Sequence, residues 1–143
     1  MSIQARQELC SRLVFQDDSQ QADLMDPSVT ETSLIALMLD VTNGCAWECT
    51  AVKSDHRDDR DLGPHCHYNG FGFDGWPLKS KNAGDYMDPS TPEFEVALGR
   101  ARQSKWLNEI GLAGSAVSYV DIIAAGPDYF QDSGADHIHL GSD

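Results

Sequence analysis

The order of the elements predicted along this 143-residue chain indicates an α+β fold with a small antiparallel sheet flanked by helices. Two stretches, residues 30–43 and 92–107, carry apolar side chains at the three- and four-residue spacing of a helix face. Two others, residues 47–53 and 71–76, alternate with the two-residue period of a strand. A chain of this length is expected to form one domain with a substantial core.

Residues 1–29 are predicted to be a loosely organised N-terminal arm ahead of a domain that spans residues 30–143. Glutamine, aspartate and serine are frequent in the arm, and Asp26-Pro27 marks a turn or boundary near its end. We expect the arm to lie on the domain or on a neighbouring subunit.

The domain begins with a helix predicted over Thr30–Asn43, which Thr30 or Thr32 can cap and Gly44 can end. A strand over Trp47–Lys53 follows. Residues 54–61 then form a highly charged loop that leads into a pair of histidines, and polar loops of this kind often carry functional sites.

Short strands and helices alternate in the second half of the chain. Pro92 suits the first turn of a helix, and the basic residues at 100, 102 and 105 suit its C-terminal end. In order, we predict a strand over Phe71–Trp76, a helix over Pro92–Leu107, a strand over Ile110–Ala113, a helix over Ser115–Ala125 and a strand over Ala135–Gly141.

The formal net charge of −13 bears on the class of partner. Nucleic-acid phosphates and anionic lipid would repel such a chain, so neither nucleic acid nor a membrane is an expected partner. No apolar run approaches the roughly 20 residues that span a bilayer, and no signal peptide is recognisable. We expect synthesis in the cytoplasm.

The four cysteines admit three interpretations. All of them, Cys10 included, can be buried thiols. Cys45 and Cys49 can instead form a disulfide, or they can contribute with Cys66 to a structural zinc site, since their spacing is seen in some metal sites.

The segment from His67 to Asp74 is the strongest chemical signal in the sequence and reads His-x-x-Gly-x-Gly-x-Asp. Imidazole nitrogen and carboxylate oxygen are good Zn²⁺ ligands. Gly70 allows a turn with positive φ, and Gly72 leaves room where backbone approaches a ligand or another strand. In a strand over residues 71–76, Gly72 and Asp74 share one face, onto which His67 can fold back.

A second cluster near the C-terminus, Asp136-His137-Ile138-His139, can complete a metal site, because a catalytic zinc takes three protein ligands and one water. In a strand, His137 and His139 point to one face, so His137 is a rival ligand or a group that polarises the substrate. Asp136 reaches that face only where the strand bends or bulges, and we predict such an irregularity there.

The two motifs together resemble those of the LAS-type zinc peptidases, which include D-alanyl-D-alanine carboxypeptidases and the L-alanyl-D-glutamate endopeptidases of phage lysins. The resemblance covers about residues 30–141 and implies an LAS- or hedgehog-like fold with the zinc site on one face of the sheet. It implies His67, Asp74 and His139 as the ligands of Zn²⁺ and Asp136 as the catalytic base. The family usually has serine two residues before the first histidine, where this chain has His65.

Substrate and activity are also implied by the resemblance. The family has an arginine upstream of the first motif, for which Lys53 and Arg57 are the candidates here, and His137 joins them as a candidate substrate-binding residue. The expected function is zinc-dependent hydrolysis of peptide bonds of the peptidoglycan type, by a carboxypeptidase or an endopeptidase acting on a small peptide. Two alternatives stay open: a catalytically inactive binding module with this fold, and a phage structural or assembly protein with a retained zinc site. Action at a cell wall would need lysis or a phage particle, and the net charge of −13 does not favour peptidoglycan, which is itself anionic. The oligomeric state is left open.

Overall fold

The computed structural model describes residues 2–55, 63–64, 66–113 and 137–143. These residues form four α-helices and a five-stranded sheet, which confirms the α+β class. The helices are α1 (Ile3–Arg12), α2 (Asp18–Met25), α3 (Thr32–Val41) and α4 (Pro92–Gln103), and the strands are β1 (Leu13–Phe15), β2 (Trp47–Ala51), β3 (Gly72–Pro77), β4 (Leu107–Ala113) and β5 (His137–Ser142).

The N-terminal stretch differs from the loosely organised arm that its composition indicated. It forms α1, β1 and α2, and β1 extends the sheet by pairing with β2. Local capping starts both helices: the Ala5 N–H donates to Ser2 Oγ at 3.3 Å, and Asp17 and Gln20 form a capping box at the start of α2. Residues 2–29 are therefore part of the packed structure: Leu9 and Leu24 are fully buried in the core, and polar residues of this stretch cap its helices.

The sheet has the strand order β1-β2-β3-β5-β4 and is mixed rather than wholly antiparallel. β1 and β2 run parallel because α2 and α3 lie between them in the chain and return it in the same direction. The other three pairings are antiparallel, as predicted. β5 lies between β3 and β4, and this register places His139 directly opposite Asp74.

Helices α3 and α4 lie where the apolar periodicity predicts them, and both contribute to the core. Gly44 follows α3 with a φ of +97°, but the helix already ends at Val41 with Thr42 as its C-cap, two residues before the predicted end at Asn43. α4 begins at Pro92 and ends at Gln103, before the predicted Leu107, which belongs to β4 instead. The fully buried side chains that join these helices to the sheet are Leu34, Leu37, Met38, Phe94, Leu98, Trp47, Phe73, Ile138 and Leu140.

All four cysteines are buried thiols, which confirms that interpretation, and the predicted Cys45–Cys49 disulfide is wrong. The helix predicted over Ser115–Ala125 lies outside the described residues. Within the described ranges, no helix is long and apolar enough to cross a membrane.

Candidate metal centre

Three side chains from the two histidine motifs meet on the sheet face opposite the one that carries Phe73 and Ile138. His67 Nε2 lies 2.9 Å from Asp74 Oδ1 and 3.1 Å from His139 Nδ1. His139 Nδ1 lies 3.1 Å from Asp74 Oδ1, and each of the three residues is at most 2% exposed. This buried group could hold a metal ion, and it unites the three residues that the sequence singled out as ligands.

Two glycines allow His67 to reach this position. His67 opens a short 3₁₀ helix, after which Gly70 reverses the chain with a φ of +85°. A Cβ on Gly70 would lie 2.5 Å from the carbonyl oxygen of Val29, and a Cβ on Gly72 would lie 2.7 Å from His67 Cγ. The predictions of a positive-φ turn at Gly70 and of a close approach at Gly72 are both confirmed.

His137 extends the cluster toward solvent. Its Nε2 lies 3.3 Å from Asp74 Oδ2, which is the carboxylate oxygen that does not face the other two histidines. The His137 side chain is 22% exposed, whereas that of His139 is 3% exposed. The strand alternation therefore brings both histidines to one face, with His137 at the outer edge of the site.

The Val52 carbonyl determines the proton position on His67. His67 Nδ1 makes a short hydrogen bond to Val52 O, and because a carbonyl oxygen only accepts, Nδ1 must carry the proton. In the neutral imidazole, Nε2 then has a lone pair, and this is the atom that faces Asp74 and His139. A ring nitrogen that donates to a backbone carbonyl is the usual arrangement around a metal-ligating histidine.

Glu109 fixes the proton position on His139 in the same way. Sequence reasoning did not identify this residue. The His139 Nε2–H donates to Glu109 Oε1 at 2.8 Å, which leaves Nδ1 to face the cluster. Gly141 lies opposite Glu109 in the sheet, and a Cβ there would lie 2.6 Å from Glu109 Cγ. The strand was predicted to start at Ile110, so Glu109 was not recognised as a strand residue.

Three hydrogen-bond acceptors thus converge on one point, and their mutual repulsion favours a proton or a cation between them. Burial disfavours a charged His139, but its hydrogen bonds to Asp74 and Glu109 and the negative charges of those two carboxylates outweigh this effect and raise the pKa of His139 to about 9. In the metal-free protein at neutral pH, His139 is therefore the positively charged imidazolium, with protons on both Nε2 and Nδ1. The same negative surroundings favour a metal cation.

The remaining candidate site residues divide into two groups. Asp136, Arg57 and His65 lie outside the described residues, so the catalytic base and the predicted bend before His137 stay predictions. Lys53 is described, and its Nζ lies 5.7 Å from the centre of the Tyr68 ring. That distance is within the range of a cation–π contact.

Comparison with protein-family models, with curated proteins and with solved structures gives no match for this chain.

Proposed function

We propose that the chain is a zinc-dependent peptidase that hydrolyses peptide bonds of the peptidoglycan type. One observation carries the proposal: the inner nitrogens of His67 and His139 converge with Asp74 Oδ1, while the outer nitrogens donate to Val52 O and to Glu109 Oε1. The motifs that supply these residues are those that resemble the LAS-type peptidases.

The donor set suits zinc in both chemistry and size. Two imidazole nitrogens and one carboxylate oxygen form a mixed N and O set. Such a set favours zinc over magnesium or calcium, which prefer oxygen ligands. Zinc–ligand bonds of about 2.0–2.1 Å place tetrahedral ligands about 3.3 Å apart. The observed separations of 2.9–3.1 Å would need to widen by only a few tenths of an ångström. When bound, zinc supplies a Lewis acid and lowers the pKa of a water ligand to about 7.

The chain's own residues take the remaining roles. Asp136 is the general base that accepts a proton from the attacking water and returns it to the leaving amine. We assign to His137, at the exposed edge of the cluster, the role of polarising the substrate carbonyl. Lys53 and Arg57 are the cationic groups for a substrate carboxylate, and Lys53 lies over the ring of Tyr68, which directly follows His67.

The test combines metal analysis with turnover. Protein purified without chelator should contain about one zinc per chain, and it should release new amino groups from purified peptidoglycan. His67→Ala and His139→Ala should lose the metal and melt at a lower temperature, because metal binding energy adds to folding energy. Asp88→Asn is a matched control, since Asp88 is an exposed carboxylate bonded to Ser90.

Two further variants separate chemistry from binding. Asp136→Asn should keep zinc and lose hydrolysis by about 10²–10⁴-fold. Lys53→Met should raise KM with little change in kcat, as expected for a group that only binds the substrate.

The outcomes separate the alternatives. Zinc binding without turnover of any muropeptide would favour the binding module or the phage structural or assembly protein. A protein that takes up no zinc on titration would contradict the metal centre itself.

A further inference from the structure

The turn directly after β2, residues 52–55, presents the carbonyl that holds His67, and helix α2 holds this turn. Val52 O accepts the hydrogen bond from His67 Nδ1. The position of that oxygen therefore sets both the tautomer of His67 and the direction in which Nε2 points. Whatever fixes the turn also fixes a predicted metal ligand.

Asp23 on α2 binds this turn with both carboxylate oxygens. The backbone N–H groups of Lys53 and Ser54 donate to Asp23 Oδ2 at 3.0 and 2.7 Å, and the Ser54 hydroxyl donates to Asp23 Oδ1. Asp23 is only 4% exposed, so these bonds form in a water-poor setting. A buried carboxylate is costly without such partners, and charge-assisted bonds of this kind are strong.

Gln20, one helical turn before Asp23, makes a second connection to the same turn. Its Nε2 donates to Thr50 O and to Asp55 Oδ2, both at 2.8 Å. Asp55 Oδ1 in turn accepts from the Val52 N–H at 3.1 Å. One face of α2 therefore contacts the chain on both sides of Val52.

Buried Arg6 on α1 fixes the C-terminal end of α2 and the adjoining Thr30. Its guanidinium donates to Leu24 O at 2.8 Å, to Thr30 Oγ1 at 2.7 Å and to Thr30 O at 2.9 Å. The Thr30 hydroxyl donates to the Asp23 carbonyl at 2.9 Å. These bonds fix the Asp23 carbonyl and the C-terminal end of α2, and so they hold the Asp23 side chain in position.

We propose that Asp23 is a positioning residue of the metal centre, acting through the Val52 carbonyl on His67. The effect on metal affinity rests on the proposed zinc site, whereas the effect on the His67 tautomer does not. The N-terminal segment, residues 2–29, then helps to position the site, although none of the predicted ligands belongs to it. A carboxylate that only stabilised the fold would leave the His67 ring unchanged once the protein is folded.

The test compares Asp23→Asn with Asp26→Asn. Asparagine replaces one acceptor oxygen by a donor, so it loses bonds to the turn at Asp23. Asp26 directly follows α2, and its carboxylate also accepts from a serine, at 2.9 and 2.7 Å, but Asp26 is exposed and this serine is its near neighbour Ser28. Nitrogen-15 NMR of the imidazoles in the metal-free protein reports the tautomer, and a competition titration reports zinc affinity.

We expect His67 to be the single Nδ1–H tautomer in wild type and in Asp26→Asn, and to be a mixture in Asp23→Asn. Zinc affinity should fall about 10- to 100-fold in Asp23→Asn alone, the usual cost of losing an outer-shell partner. Ser54→Ala removes one bond at an exposed residue and is the milder variant if Asp23→Asn does not fold; its zinc affinity should fall about fivefold.

Folded Asp23→Asn with the wild-type His67 spectrum would overturn the proposal, and so would an unchanged spectrum in Ser54→Ala if Asp23→Asn does not fold. A wild type that shows the single tautomer but binds no zinc would instead contradict the proposed function.

Discussion

Gly72→Ala should disable the candidate metal centre without replacing a predicted ligand. A Cβ at this position would lie 2.7 Å from His67 Cγ and 2.8 Å from the His67 backbone nitrogen. Carbon atoms in contact normally lie about 3.5–4.0 Å apart, so the overlap is roughly 1 Å. Rotation of the imidazole cannot relieve it, because one of the two contacts is to backbone. His67 must therefore move as a whole.

The expected magnitude follows from that displacement. Added volume in a packed interior costs about 1–3 kcal/mol, which for a domain near this size lowers Tm by roughly 4 °C per kcal/mol. Functional groups need to stay within about 0.5 Å of their working geometry, so a shift of about 1 Å takes Nε2 out of the site. Zinc binding should weaken at least about 100-fold, the upper end of the range for loss of an outer-shell partner.

Thermal melts with chelator and with zinc, together with a competition titration, measure both effects. Gly99→Ala is the matched control: the same methyl group is added inside α4, where a Cβ meets nothing within 4 Å. It should raise stability by about 0.4–1 kcal/mol and leave zinc binding unchanged, since alanine favours a helix over glycine. If Gly72→Ala melted and bound zinc like wild type, the packing of His67 against β3 would be wrong.

Further predictions concern the partner of His139, pH and the thiols. Glu109→Ala should weaken zinc binding about 10- to 100-fold in a competition titration, and Glu109→Gln, which keeps an acceptor oxygen, should lie between it and wild type. Because the pKa of His139 is raised from 6.5 to about 9, the metal-free protein should lose up to about 3 kcal/mol in chemical denaturation as pH rises through that range. The stabilisation by added zinc should instead grow over the same range, because zinc displaces that proton; a decline would contradict a shared site. The four buried thiols should react with a thiol reagent only after unfolding, which intact mass can check; four fast-reacting thiols in the native protein would be contrary to their burial.

The α+β class and the two histidine motifs were predictable because each depends on a local pattern. Apolar periodicity marks α3 and α4, and the spacing from His67 to Asp74 places a turn and half a strand between these two side chains. The face shared by His137 and His139 follows from strand alternation alone. The meeting of the two motifs is not a local inference, because His67 and His139 are 72 positions apart; it was expected from the chemistry of their side chains as zinc ligands.

The parts that were missed depend on pairings between distant residues. β1 is three residues long and is stabilised by the parallel partner β2, which no local pattern indicates. Glu109 belongs to the site only because β4 pairs with β5 in the register that places it opposite Gly141. Asp23 reads as one acidic residue among many in an acidic chain, and its bonds to Lys53 and Ser54 cross 30 and 31 residues.

The charges around the candidate site and the chemistry of its donor atoms bear on which cation it could bind. With both histidines neutral, the inner group carries one negative charge on Asp74, and Glu109 adds a second at the outer nitrogen of His139. A divalent cation brings the sum to zero, whereas a single proton leaves one negative charge, which water can solvate only at Glu109, whose side chain is 43% exposed. Two of the three donor atoms are imidazole nitrogens, which disfavours calcium and magnesium, since these ions prefer oxygen ligands. Charge and donor type therefore both favour a nitrogen-binding divalent metal, and this selection follows from the tautomers that Val52 and Glu109 impose.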